Sequence, residues 1–600
     1  MLLRRKKYGL FDFIIILFRI APIALVLIMT TAVSLSFVPM FTMLTTANFI
    51  DTVTKIFGKQ LPMTAIYGPL VWVAGVIAYD WVIQNVTHFA WVRQRVKVIE
   101  KWLPALNQKK ARLEYRHIEN PETWDLLRRV SEDSIDKVIY GYVAIHFFVE
   151  TVARLGGILV VFITQVWWAA IVIVLLSVPL FIITMKNGRS NYAARKSVQS
   201  NMRKADYYSE VLTGRETAEE RSLFRFTAKL NAKWKEQFEY SRTVEVRTER
   251  KNFINRNLTS LCSAGIWFII AFSLLPMATR NIITLGMYIA LIGSVTDVVN
   301  TLSNRLGWSI EGITGNHEYL KDLTAFMALE ETEDAACVPA DPPVEIEKLS
   351  FLNVSFAYPG TESLILNNFS CEMKKGVKYA FVGANGAGKT TVTKLLMGLY
   401  DNYTGDILIN GKELRTYSQA EIKSLFSIVH QDFARYFVSL RDNIGLGNVN
   451  HCIDGGSDQI NRIDTAVHLV ELDDEVQKLG GLETPLGKIQ KNGQDISGGQ
   501  WQRVAIARAI VSDASFTILD EPTAALDPVS ESNVYSQFKA ISRGHTSLFI
   551  SHRLGSTKLA DRIFVLDGGK VAEEGSHEEL MALNGLYAEM YDAQRSWYTI

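Results

Sequence analysis

Cysteine is scarce in this chain. Four residues in 600, Cys262, Cys337, Cys371 and Cys452, lie scattered without metal-ligand spacing. That excludes a disulfide framework and a thiolate zinc site. His451 beside Cys452 in a polar loop supplies too few ligands to change this. Net charge is also nearly absent, formally +1, but this value averages two unlike halves. No nucleic-acid partner is expected. The N-terminal stretch "MLLRRKKYGLFDFIIILFRIAPIALVL" has no small-residue cleavage site, and Arg19 interrupts its apolar run. Both features argue against a cleaved signal peptide and for a short interfacial helix leading into a retained membrane helix. No soluble enzymatic domain is expected ahead of it.

What the first half does have is long apolar runs. A helix needs about 20 mostly apolar residues to cross the hydrocarbon core. Six segments qualify: Ala21–Phe49, Leu61–Val92, Val138–Phe162, Ala169–Thr184, Leu258–Met277 and Thr284–Leu302. The third and fourth meet through the short "ITQVWW", and the fifth and sixth through "ATRNII". The loops after the second and fourth are long and basic, as is Arg4 to Lys7. The basic bias places them, both termini and the C-terminal half in the cytoplasm of a multi-pass protein of the cell membrane. Helical periodicity continues through these loops, and each has an internal break, at Asn120-Pro121 and at Gly214. The expected organisation is a membrane domain over 1–325, a linker over 326–345 and a soluble α/β domain over 346–600.

The soluble half carries phosphate chemistry. In "KYAFVGANGAGKTTVTKLL" a strand runs into Gly383-x-x-x-x-Gly388-Lys389-Thr390 and then a helix. This is the context a P-loop requires. Its glycines let backbone N–H groups converge on phosphate, Lys389 adds a point charge, and Thr390 offers a hydroxyl to Mg²⁺. "SFTILDEPTAALD" is a buried-type strand ending in Asp520, suited to Mg²⁺, and Glu521, suited as general base. His552 ends a further apolar strand, placed to reach the γ-phosphate, and Gln431 ends another, suited to Mg²⁺ or the attacking water. Tyr358 precedes the P-loop on a turn where its ring can stack on adenine.

"DISGGQWQRVAIARA" (Asp495 to Ala509) has no chemistry of its own. Taken with the order Tyr358, Gly383–Thr390, Gln431, Asp520–Glu521, Asp527, His552, it resembles the signature of the nucleotide-binding domain of ABC transporters, with Ile496 where leucine is usual. Six spans ahead of one such domain resemble an ABC exporter half-transporter. The fold implied is an all-α polytopic membrane domain of six transmembrane helices followed by an α/β P-loop ATPase domain of ABC type. The resemblance implies ATP and Mg²⁺ as cofactors. It further implies an ATP-binding set of Tyr358, Gly383, Ala384, Asn385, Gly386, Ala387, Gly388, Lys389, Thr390, Thr391, Gln431, Ser497, Gly498, Gly499, Gln500 and Asp520. Thr390, Gln431 and Asp520 are its metal ligands, Asp527 its D-loop, and Glu521, His552, Gln431 and Lys389 its catalytic group. The breaks near Pro121–Arg129 and Arg215–Phe224 resemble coupling helices. Lys491 departs from the glutamate common before the signature.

Because the signature of one chain completes the γ-phosphate site of another in this family, the resemblance implies a second chain. Glu521 and the signature are both intact, which favours a homodimer. "QDFARYFVSLRDNIGLGN", Trp501 after the signature and "LDEPTAALDPVSE" are similar to exporters of lantibiotic peptides of the nisin type. A peptide cargo is therefore expected. A lipid or drug exporter with the same engine, or a tethered regulatory ATPase, are the alternatives. Within the spans, Asp80, Gln84 and His88 recur every four residues, Glu150 and Arg154 form an i,i+4 pair, and Asp297 lies in the sixth span. Intramembrane charges face cavities or pair internally. Glu150–Arg154 is expected to be a structural pair, and Asp80 and Asp297 are candidates for attracting cationic or peptide cargo. Trp72, Trp81 and Trp91 are read as interface anchors or packing. If Glu521 is the general base, Glu521→Gln will retain ATP and hold dimers with little turnover. Normal phosphate release by that variant in a colorimetric assay would remove the assignment.

Overall fold

The computed structural model describes residues 7–215, 217–301, 305–452, 457–520, 546–550 and 554–596. The chain forms two compact units. Residues Met1–Lys110 and Asp125–Leu329 make the first, and Ala111–Trp124 with Glu330–Ile600 make the second.

The first unit is helical: α1 (Asp12–Ile20), α2 (Pro22–Phe57), α3 (Tyr67–Ala111), then, past the short α4 (Tyr115–Glu119) of the second unit, α5 (Pro121–Ser131), whose first four residues belong to the second unit, α6 (Ser134–Thr213), α7 (Ala218–Leu223), α8 (Thr227–Thr279), α9 (Leu285–Asn300) and α10 (Leu306–Ala328). A lipid-embedded backbone satisfies its polar groups internally, which is why apolar runs of this length are helices. At 1.5 Å per residue, the 45 residues of α3 span about 68 Å, more than twice the hydrocarbon thickness. The helices thus continue past their apolar stretches, as the periodicity of the basic loops predicts.

Several boundaries differ from the sequence expectation. Residues 61–66 form a turn and a 3₁₀ helix (Met63–Ile66), so the second span starts later than Leu61. The third and fourth spans share α6, interrupted at one residue, Val166 (φ −149°, ψ 75°), rather than across the six residues of "ITQVWW". Leu302, the expected end of the sixth span, lies outside the described residues. Asn120 stops α4 and accepts the backbone N–H groups of Glu122 and Thr123, while Pro121 opens α5 where a missing N–H costs nothing. Gly214 ends α6 as expected.

The second unit holds two sheets. Strands β1 (Lys348–Phe356), β2 (Leu366–Lys374), β4 (Thr404–Ile409) and β5 (Lys412–Glu413) form an antiparallel sheet ordered β2-β1-β4-β5. The larger sheet is ordered β10-β9-β3-β8-β7-β6, with β3 (Lys378–Gly383), β6 (Phe426–Val429), β7 (Phe516–Asp520), β8 (Thr546–Ile550) and β9 (Arg562–Asp567) parallel and β10 (Lys570–Gly575) antiparallel at the edge. Alternate residues feed two cores. Tyr379, Phe381, Phe564 and Leu566 enter one. Ala380, Val382, Ile563 and Val565 enter the other. Burial on both faces is the condition for a parallel sheet and explains its continuous apolar strands.

One close approach in the helical unit is where α2 meets α9. The Asp51 carboxylate accepts the Gly286 N–H at 2.7 Å at the start of α9. A Cβ on Gly286 would lie 2.0 Å from the Ala47 carbonyl oxygen, a backbone atom that cannot rotate away. Gly286→Ala is expected to cost about 1–3 kcal/mol through overpacking, read as a lower thermal midpoint of the solubilised protein. Gly265→Ala, where nothing lies within 4 Å, should cause no such fall.

Candidate functional sites

The parallel topology brings the phosphate-chemistry residues to one edge. Because β3, β8, β7 and β6 run the same way, the loops after all four leave at their carboxyl ends, where open α/β sheets bind ligands. β3 delivers Gly383 and the P-loop, β7 ends on Asp520, and Gln431 follows β6 by two residues. β8 ends at Ile550, two residues before His552. Glu521, Asp527 and His552 lie outside the described residues.

The P-loop has the shape its sequence predicts. Gly386 and Gly388 hold φ of +83° and +102°, in the left-handed region that favours glycine. A Cβ on Gly383 would meet the Leu566 carbonyl oxygen at 2.3 Å, so strand β9 also demands glycine there. Ala384, Asn385, Gly386 and Thr390 are exposed at the mouth, while Ala387, Lys389 and Thr391 are buried. Lys389 Nζ donates to the carbonyls of Gly383 (2.8 Å) and Ala384 (3.0 Å), which holds an ammonium inside the loop. The helix Lys389–Leu396 then presents its N-terminus to the same space. Glycine-lined backbone, a buried cation and a helix N-terminus together fit a polyphosphate. The exposed Thr390 hydroxyl and the buried Asp520 carboxylate are hard oxygen donors that fit Mg²⁺.

Tyr358 sits beyond the end of β1. Its hydroxyl is 3.1 Å from Thr391 Oγ1, one residue past the P-loop threonine. Its ring packs edge-on against Phe356 and Tyr400. Lys394 Nζ lies 5.1 Å from the ring centroid. Lys394, Tyr400 and Glu119 carry no motif, and sequence reading passed over them.

The signature stretch caps its helix. Ser497 Oγ accepts the Gln500 N–H, and Gln500 Oε1 accepts the Ser497 N–H at 2.7 Å, a complete capping box at the start of Gly498–Ile510. Ser497 and Gly498 are exposed, whereas Trp501 is 1 % exposed and packs edge-on against Phe437 in the core. Trp501 is a packing residue. Lys491 is exposed in the preceding turn.

The helical unit gathers its intramembrane charges. A cavity of about 1000 Å³ is lined by Asp80, Gln84, His88, Glu150, Arg154 and Asp297, so all six candidates share one space. Their pairing differs from expectation. Arg154 donates to Asp297 at 3.0 Å rather than to Glu150. Glu150 instead lies 3.8 Å from both Arg305 and His146. Spacing of i,i+4 puts Glu150 and Arg154 on one side of α6, but a facing carboxylate on α9 offers better geometry. Arg305 and His146 were not singled out by sequence, although His146 stands four residues before Glu150 in the same row as Arg154. Trp91 lines the same cavity, against His146, while Trp72 and Trp81 are exposed, as lipid-facing or interfacial rings are.

Comparison with known proteins agrees with this geometry. The family profile described as ABC transporter matches residues 366–524. The subtilin transport ATP-binding protein SpaT of Bacillus subtilis is 31% identical over 528 residues, 87% of this chain and 84% of that one. The nisin transport ATP-binding protein NisT of Lactococcus lactis subsp. lactis is 27% identical over 489 residues, 80% of each chain. An ATP-dependent lipid A-core flippase of Sodalis glossinidius (strain morsitans) is 34% identical over 284 residues, 46% of this chain and 47% of its own. In fold, a bacterial Atm1-family ABC exporter with ATP bound matches with a TM-score of 0.76 at 21% identity, covering 94% of this chain and 97% of that one. With apolar helices long enough to cross a membrane and an ATPase fold of this type, the chain belongs to the ABC transporters, as an ATP-hydrolysing exporter of the membrane.

Proposed function

We propose that the protein exports a modified, lantibiotic-like peptide from the cytoplasm, working as a homodimer by alternating access. The observation that carries the peptide reading is the reach of the likeness. A match of 528 residues to a subtilin transporter is too long to lie in the ATPase unit and must include membrane helices, where cargo is read. Matches to flippases run from 246 to 343 residues, 41% to 56% of this chain, and so reach less far into the membrane helices.

Charge in the cavity supports the same choice. Asp80, Glu150 and Asp297 face Arg154 and Arg305 there. Arg154 answers Asp297 and Arg305 answers Glu150, while Asp80 accepts from the neutral amide of Gln84 at 2.8 Å. The balance favours a cationic group and opposes a phosphate-bearing lipid headgroup. One unit charge at 4 Å is worth about 4 kcal/mol at an effective dielectric of 20.

In the ATPase unit, Thr390, Gln431 and Asp520 would hold Mg²⁺, which supplies charge neutralisation at the phosphates when bound. Lys389 neutralises the β- and γ-phosphates, Glu521 takes the proton of the attacking water, and His552 contacts the γ-phosphate. Tyr358 stacks on adenine. Ser497, Gly498, Gly499 and the helix behind them face a second chain's phosphates, which explains why the exposed cap shows no chemistry in its own unit. The domain boundary proposed is a membrane part over 1–325 joined by 326–345 to an ATPase part over 346–600, both termini and the ATPase being cytoplasmic.

Inside-out vesicles carrying the protein should take up a cationic modified peptide in an ATP-dependent way, and neither dyes nor lipid analogues. Asp80→Asn should lower that uptake about tenfold, the weight of roughly 1.4 kcal/mol. Uptake of lipid analogues alone would overturn the cargo, and strong ATPase activity without any vectorial movement would favour a regulatory ATPase. Ser497→Ala should reduce hydrolysis by at least about tenfold while ATP affinity stays within about twofold. Full turnover by that variant, or by a monomer in light scattering, would sink the composite site.

A further inference from the structure

Within the second unit, the segment Ala111–Trp124 contributes one carboxylate to the neighbourhood of the nucleotide-base residue. Glu119 Oε1 accepts Lys394 Nζ at 2.8 Å, and Glu119 Oε2 accepts the Tyr400 hydroxyl. Both partners in turn touch Tyr358: Lys394 lies over its ring at 5.1 Å, and Tyr400 packs edge-on at 5.6 Å. Tyr115, from the same α4 turn, closes the group, with its ring 5.7 Å from Tyr400 and 5.5 Å from Lys394 Nζ. Lys394 lies on the helix Lys389–Leu396 that begins at the P-loop lysine, and Thr391 of that helix meets the Tyr358 hydroxyl. The Lys394 side chain is 19% exposed, so this ion pair is shielded more than a surface pair.

We infer that Glu119 is a positioning residue for Tyr358: by holding Lys394 and Tyr400 together it sets the ring on which the adenine of ATP stacks. The inference rests on the reading of Tyr358 as the adenine platform. Burial disfavours the Glu119 carboxylate, but the bonds from Lys394 and Tyr400 outweigh it and hold its pKa below the ordinary value. The clamp is therefore charged throughout the neutral range. Removing Glu119 frees two side chains at once, and a cation–π contact and an edge-on ring contact lose their fixed geometry. The segment carrying Glu119 is continuous in sequence with α3 on one side and α5 on the other. A displacement of that segment would thus change the affinity of the base site, and by linkage adenine binding would restrain the segment.

The test uses the full-length protein in lipid nanodiscs and reads KM for ATP and kcat separately. Tyr358→Ala must first raise KM; if it does not, the platform and the clamp fall together. Given that rise, Glu119→Gln should raise KM about three- to tenfold with kcat within about twofold. The double variant Glu119→Gln/Tyr358→Ala should be no worse than Tyr358→Ala alone, because residues acting through one another are not additive. Lys394→Arg should restore most of the affinity that Lys394→Met loses. Should Glu119→Gln not fold, Lys394→Met replaces it in the same cycle. An unchanged KM in Glu119→Gln or Lys394→Met beside a raised KM in Tyr358→Ala overturns the clamp and leaves the platform standing. So do penalties that multiply in the double variant.

Discussion

Burial of the parallel sheet on both faces is the constraint on which the ATPase unit depends. β3, β7, β8 and β9 are apolar along nearly their whole length, because each residue faces one of two cores. Strands of this kind cannot carry polar chemistry within the sheet. The polar residues are therefore pushed to the strand ends, and parallel direction puts those ends on one edge. The P-loop, Asp520 and Gln431 come together for that reason, although they lie far apart in sequence. Glycine at 383 follows from the same packing, since the strand β9 carbonyl of Leu566 occupies the space a side chain would need.

The helical unit answers to the opposite constraint. Lipid and helix faces are both apolar, so burying a few charges is the expensive step, tolerated where they pair or line a cavity. Arg154–Asp297 joins α6 to α9, and Arg305 and His146 approach Glu150. These pairs remove most of the formal charge from a space of about 1000 Å³ but leave Asp80 answered by an amide. On the cargo reading proposed above, that imbalance is what discriminates. Neutral pairs make a cavity hospitable to a polar chain, and one residual carboxylate selects the sign of the charge it carries.

What could be read in the sequence was what repeats or what chemistry demands at fixed spacing. Apolar run length marked the membrane helices, and the P-loop spacing marked a loop whose glycines the structure shows to be needed. The signature's serine and glutamine, three apart, also form a capping box at the start of the helix Gly498–Ile510, a local pattern that went unread. What escaped depended on long-range geometry. The partner of Arg154 is 143 residues away on another helix, and local spacing pointed to Glu150 instead. Trp501 was read by its rarity, yet its position is dictated by a core pocket beside Phe437. Glu119 and Lys394, 275 residues apart, share no pattern that would have paired them.

The two kinds of long-range contact also differ in what they do. Arg154–Asp297 ties helices within the membrane unit, where breaking a pair strands a charge in a poor solvent and is strongly opposed. Glu119–Lys394 is about as exposed, with side chains at 41% and 19% against 37% and 20% for Asp297 and Arg154, but it lies outside the membrane helices, where water can take over the separated charges. A contact that must open and close during a transport cycle belongs in the second class. The chain keeps its costly pairs inside the helical bundle. Its other long-range pair lies beside Tyr358, the residue proposed to stack on adenine, where a difference of about 1.4 kcal/mol would change nucleotide affinity tenfold.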